Sequence, residues 1–230
     1  MSPSERLAPW RGFADRREAG GVLAKELDNL AGRADVIVLA LPRGGVPVGY
    51  EVSTALHAPL DVFVVRKLGL PEYPELAMGA IATGGVRILN QDVIAWYRPS
   101  PHAIEAITTA ERAELERRER DYRGQRPPIA VEGKIGILVD DGLATGSTMR
   151  AAVQALRRLN PARIVVAAPV GARETCESLR SVADEVVCPF TPEPFSAVGL
   201  WYRDFAQTTD EEVRQLLAAR ESQTAPSRSG

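Results

Sequence analysis

Residues 135–159 read IGILVDDGLATGSTMRAAVQALRRL, and this stretch constrains the chain more than any other. Its first part is a short apolar run that ends in two carboxylates, Asp140 and Asp141. Length and β-branched content suit a strand buried on both faces of a parallel sheet. A glycine- and hydroxyl-rich turn follows at residues 142–148, and then Met149, Ala152, Val153, Leu156 and Leu159 recur at helical spacing. Strand, turn and helix in that order aim the free N–H groups of residues 145–148 at one point, at the positive end of the helix dipole. That is a ready phosphate site.

The acid pair narrows the ligand. The Lys of a triphosphate-binding GxxxxGK[ST] loop is missing, and so is the GxGxxG of a dinucleotide site. Adjacent carboxylates ahead of a phosphate turn fit a sugar phosphate instead, with ribose hydroxyls on Asp140 and Asp141 and the 5′-phosphate on Ala144, Thr145, Gly146, Ser147 and Thr148. The string ILVDDGLATGST closely resembles the phosphoribosyl pyrophosphate (PRPP) motif of type I phosphoribosyltransferases. The softer resemblance of FADRREAGGVLAKEL to the start of a bacterial subgroup of these proteins, with poorly defined substrates, extends over most of the chain.

The resemblance implies an α/β fold with a parallel, PRPP-binding sheet and a small hood. Residues 36–41 (VIVLAL) form a first strand that runs into Pro42-Arg43-Gly44-Gly45, and residues 46–56 read as a helix. Adjacent glycines let backbone approach an anion, and Arg43 offers a charge-assisted fork. PRGG resembles the pyrophosphate turn of the family, which often holds a strained or cis peptide, particularly the Arg-Gly-Gly form of xanthine phosphoribosyltransferases. Residues 60–65 (LDVFVV) read as a second strand ending in Arg66 and Lys67, two further pyrophosphate ligands. The catalytic set is then Asp140, Asp141, Arg43 and Lys67. Residues 78–82 and 86–89 should pair as a hairpin across Thr83-Gly84-Gly85, and residues 68–76 take the place of the family's mobile loop.

A long charged helix over residues 100–124 is the least family-like part of the core. Glu114–Arg118, Glu116–Arg120 and Glu119–Arg123 fall at i,i+4 spacing, so the helix reads as solvated or packed on a neighbouring subunit. Strands at residues 163–170 and 185–190, with a short helix between, complete the sheet. Thr209 and Glu212 form a capping box that opens a last helix. One domain is expected over residues 1–220, with an irregular arm at residues 1–14, a hood over residues 191–208 and a disordered tail at residues 221–230.

In the family the hood covers the acceptor base. Phe195, Val198, Trp201, Tyr202 and Asp204 resemble, with a one-residue offset, the segment that stacks and hydrogen-bonds the purine in 6-oxopurine enzymes. Two departures hold that back. Ala144 stands where those enzymes carry an Asp, and residues 168–171 (APVG) lack their Lys. The resemblance implies Mg²⁺-dependent transfer from PRPP to a nitrogenous acceptor, with Mg²⁺ reaching Asp140 and Asp141 through ribose hydroxyls or water. A homodimer is expected. A regulator that only binds PRPP or nucleotides would share the motifs, though regulators commonly add a nucleic-acid surface and none is visible.

Composition agrees. The chain has 230 residues, 45% of them hydrophobic, and a formal net charge of −2, which argues against a phosphate-backbone partner. No apolar run reaches the ~18 residues of a membrane span, and residues 1–13 lack a secretory signal, so a cytoplasmic setting is expected. Cys176 and Cys188 read as buried thiols, and His57 and His102 as structural or solvated.

Overall fold

A computed structural model describes residues 12–224; the arm at residues 1–11 and residues 225–230 lie outside it. Five parallel strands form the central sheet: β1 (Val36–Ala40), β2 (Leu60–Val62), β6 (Ile135–Val139), β7 (Arg163–Ala167) and β8 (Glu185–Val187), in the order β2-β1-β6-β7-β8. A second, antiparallel sheet carries β3 (Val65–Gly69), β4 (Ala77–Ala82) and β5 (Val86–Leu89). The helices are α1 (Arg16–Glu26), α2 (Gly45–Ala55), α3 (Gln91–Tyr97), α4 (Pro101–Arg123), α5 (Ser147–Arg157), α6 (Arg173–Leu179) and α7 (Asp210–Thr224).

Alternation along the strands splits the core in two. Val36, Val38 and Ala40 of β1, with Ile135, Ile137 and Val139 of β6, face the side covered by α1, α2 and α7. Ile37, Leu39, Leu138, Ile164 and Val166 face the side holding Met149, Val153 and Leu156 of α5 and Leu179 of α6. Both faces are buried, which is why these strands read as unbroken apolar runs. Crossover topology brings every carboxyl strand end to one edge, the place where open α/β sheets bind ligands.

Three expectations change. The apolar run at residues 60–65 is not one strand: β2 stops at Val62, and Val65 starts β3 in the second sheet. The break is fixed by a reciprocal pair of bonds, Val64 N–H to Thr83 Oγ1 and Thr83 N–H to Val64 O, both 2.9 Å. Arg66 and Lys67 therefore lie within a strand of the hairpin sheet and do not end a parallel strand. The expected hairpin is present as β4 and β5.

Helix α4 carries its i,i+4 pairs, Glu114–Arg118 at 2.8 Å, Glu116–Arg120 at 3.9 Å and Glu119–Arg123 at 3.0 Å, yet it is not simply solvated. Thr108, Leu115, Tyr122 and Arg123 are buried, the helix packing on β3, β4 and α7 while Arg123 reaches Asp61 and Val62 of β2. Finally, α7 continues to Thr224 instead of fraying at residue 221. Arg220 donates to the carbonyls of Ser53 and Ala58, and Glu221 pairs with Arg126, which hold its last turns to the body. The capping bond is made as read: Glu212 N–H donates to Thr209 Oγ1 at 3.1 Å.

Candidate active site

Two turns meet at the carboxyl edge of the sheet. After β1, residues 42–45 turn into α2, and the Pro42–Arg43 peptide bond is cis, as the resemblance implied for this turn. A Cβ on Gly44 would stand 2.0 Å from Asp141 Oδ2, and one on Gly45 would stand 2.6 Å from Val139 O and 3.0 Å from Asp140 Cα. Only glycine lets the two turns touch. Thus the PRGG turn lies directly against the acid pair.

The glycine- and hydroxyl-rich turn after β6 leads directly into α5, in the strand–turn–helix order expected. Gly146 takes the left-handed conformation (φ 69°) as the residue before α5, where a Cβ would meet Thr175 at 2.6 Å. Thr175 Oγ1 donates to Ala144 O at 2.6 Å and pins the turn to α6. The bond from Arg150 N–H to Gly146 O is the first of α5, and the turn ahead of it carries the exposed Thr145, Ser147 and Thr148, with Ser147 N–H donating to Thr145 Oγ1 at 3.5 Å.

Residues 14–197 match the family model of the phosphoribosyl transferase domain. The chain belongs to that family. Two proteins of Mycobacterium tuberculosis, Rv0571c of strain H37Rv and MT0597 of strain CDC 1551, are provisionally named phosphoribosyl transferases and are each 49% identical over 205 residues. Those matches take in 89% of this chain and 46% of either relative, so the chain spans about half the length of the curated relatives it matches. The crystal structure of TT1426 from Thermus thermophilus is 42% identical, superposes with a TM-score of 0.80, and is matched over 90% of this chain and 98% of its own.

Within this phosphoribosyltransferase fold, the predicted cations separate. Lys67 is exposed and lines a groove of about 750 Å³ that runs along α5 and has Ser147, Thr148 and Arg150 in its wall. Arg66, its neighbour in β3, faces the other way and pairs with Glu111 of α4 at 2.7 Å. Alternation along a strand makes that division unavoidable, and it turns Arg66 to α4, on the face opposite Lys67. The Arg43 guanidinium lies 3.9 Å from Asp210 at the start of α7 and lines a small cavity with Arg117, Arg118 and Tyr122. Its backbone is at the turn, while its charge rests against α4 and α7.

The acid pair is crowded. Burial pushes the Asp140 carboxyl well above the ordinary range, and the Asp141 charge adds to it. Burial likewise raises Asp141, outweighing the hydrogen bond from Arg16. That hydrogen bond was invisible in the sequence: Arg16 Nε donates to Asp141 Oδ2 at 2.8 Å across 125 positions.

The hood differs most from its sequence reading. Phe13, Phe190, Phe195, Trp201, Tyr202 and Phe205 pack on one another as a separate small core. Tyr202 is only 5% exposed, and its hydroxyl donates to Asp141 O at 2.6 Å, so it is a buried strut and not a stacking face. Trp201 is wedged between Phe190 and Phe195, at centroid distances of 5.3 and 6.4 Å. Asp204 accepts from Ala206 N–H at 3.0 Å and thus closes its own turn. Val198 of the hood also reaches the site, where a Cβ on Gly142 would meet its Cγ1 at 2.4 Å. The arm joins this layer through Phe13 N–H to Trp201 O and Arg203 N–H to Phe13 O, both 2.8 Å. Elsewhere, Cys176 is a buried free thiol, and Cys188 is half-buried.

Proposed function

We propose that this chain transfers the phosphoribosyl group of PRPP to a nitrogenous acceptor of nucleobase type and releases pyrophosphate. The observation that carries the reading is the contact of the PRGG turn with the acid pair, beside a helix N-terminus, at one sheet edge. Three elements at that edge would take the pyrophosphate, ribose and 5′-phosphate of a single ligand. Asp140 and Asp141 would accept from ribose hydroxyls, the turn over residues 144–148 would hold the 5′-phosphate, and Gly44, Gly45 and Lys67 would meet the pyrophosphate. The resemblance to type I phosphoribosyltransferases implies an oxocarbenium-like transition state, so rate enhancement would come from positioning and from fixed charges around the leaving group.

Mg²⁺ fits this donor set in one way. Among the described residues, no group of three or more His, Cys, Asp or Glu side chains is gathered to cage a metal. Two adjacent carboxylates suit an ion that keeps most of its water and arrives on substrate phosphates. The ion would supply charge neutralisation at the departing pyrophosphate.

The acceptor would sit under Val198 of the hood. With Ala144 at the turn and no Lys in residues 168–171, the base end lacks the polar set of the 6-oxopurine enzymes, which favours an acceptor held by shape and apolar contact. The test is PRPP with Mg²⁺ against a panel of nucleobases and small amines, with pyrophosphate release followed. Acceptor-dependent release supports the reading. Tight PRPP binding without release for any acceptor favours a regulator that only senses PRPP.

A further inference from the structure

Arg16 is the first residue of α1 and belongs to neither turn, yet it is the most heavily engaged cation at the site. Its Nε donates to Asp141 Oδ2 at 2.8 Å, and Nη1 donates to Ala206 O at 2.7 Å. Its guanidinium carbon lies 4.0 Å from the Phe205 ring centroid and 6.0 Å from that of Tyr202. The side chains of Arg16 and Asp141 are 11% and 16% exposed. The other contacts of Asp141 come from different directions: Gly44 of the PRGG turn abuts its carboxylate, and the Tyr202 hydroxyl holds its carbonyl at 2.6 Å. Asp140 has a much lighter set, with its Oδ1 accepting from Asp141 N–H at 2.9 Å.

The acid pair is therefore asymmetric. One carboxylate is clamped by α1, the hood and the pyrophosphate turn, while its neighbour is left to meet a ligand. We propose that Arg16 is a positioning residue for the sugar end of the site: it holds the Asp141 carboxylate against Gly44, so that the acid pair is fixed for ribose hydroxyls before ligand arrives. The inference rests on the phosphoribosyl reading above. Two carboxylates side by side repel, and an unclamped one would swing toward water. The ligand would then have to order it on binding, and pre-ordering removes that cost. The planar guanidinium can bond the carboxylate and the Ala206 carbonyl at once while lying over Phe205, which an ammonium cannot reproduce.

The competing role is plain glue between α1 and the hood. Arg16→Met keeps the stem and its packing on Phe205 but removes the guanidinium, and Arg16→Lys keeps the charge without the fork. Affinities for ribose 5-phosphate, PRPP and free pyrophosphate would be measured by calorimetry on the full chain, alone and in an Asp141→Asn background, with melting temperature alongside. Positioning predicts that Arg16→Met weakens ribose 5-phosphate and PRPP by about tenfold to a hundredfold and pyrophosphate far less. Arg16→Lys should recover part of the loss, and Arg16→Met should cost nothing further once Asp141 is Asn. Undiminished ribose 5-phosphate affinity in Arg16→Met would overturn the inference, as would an equal loss with and without the Asp141 carboxylate. If Arg16→Met does not fold, the same comparison is made with Arg16→Lys, whose full affinity in the Asp141 background would overturn it too. A wild-type chain that binds neither PRPP nor ribose 5-phosphate overturns the proposed function itself, a result separate from any failure confined to the variants.

Discussion

Two arginine–aspartate pairs among the described residues, one buried and one half-buried, do opposite things. At one, Arg123 Nε donates to Asp61 Oδ1 at 2.7 Å, and the two side chains are 5% and 7% exposed. Asp61 also accepts from Val62 N–H and Ile129 N–H, and Arg123 reaches Val62 O and Glu119. Burial works against the Arg123 charge, but Asp61 and Glu119 outweigh it and hold its pKa above the ordinary value. At the other, Arg16 meets Asp141 at 2.8 Å, but one guanidinium has to serve two adjacent carboxylates whose pKa values both stay raised. The first pair is complete and fastens α4 to β2. The second is short of positive charge and donors, which is what a site completed by a hydroxyl-rich ligand should look like.

Breaking the complete pair should have the larger effect on folding. Arg123→Met leaves Asp61 buried without its cation and should cost about 3–5 kcal/mol, read by urea denaturation, while PRPP affinity of the folded protein stays unchanged. A loss under about 1 kcal/mol would show that water or a repacked Arg126 replaces the contact. Removing charge from the incomplete pair should do the reverse. Asp140→Asn relieves the like-charge contact and should stabilise the unliganded chain by about 1 kcal/mol, or about 2–4 °C in melting temperature. A fall in melting temperature would mean that the carboxylate is already compensated.

A third acid gives the smallest effect and calibrates the other two. Asp184 accepts from Arg157 at 2.9 Å and from Ile164 N–H at 2.6 Å, and the Arg157 hydrogen bond holds its pKa below 3.8. Because the folded pKa is depressed, its contribution is present above the ordinary carboxylate value and is lost as pH falls through the folded one. Its side chain is 40% exposed, so Asp184→Asn should cost under about 1 kcal/mol at neutral pH. The gap should close progressively below that ordinary value, and a gap independent of pH would assign the effect to packing.

What was legible in the sequence was local. The PRPP unit puts strand, acid pair, turn and helix within 25 consecutive residues, 135–159, each with its own signature. The capping box of α7 and the hairpin across residues 83–85 are local in the same sense. The break after Val62 was hidden because every residue from Val62 to Val65 is apolar, so periodicity had nothing to register. Arg66 and Lys67 looked equivalent until alternation along β3 sent them to opposite faces. The hood aromatics read equally well as a stacking wall and as a small core, and only packing decides between them. Arg16 carried no signal because its partner is 125 positions away.

The central claim is that Asp140 and Asp141 bind the sugar of PRPP while the fold stands without their charge. Calorimetric titration of PRPP with Mg²⁺ into the wild-type chain and into Asp140→Asn/Asp141→Asn, with melting curves on the same samples, tests it most directly. The account predicts saturable binding by the wild type and a loss of more than about a hundredfold in the double variant, with a melting temperature equal to or above the wild type. Unchanged PRPP affinity in a folded double variant would contradict it.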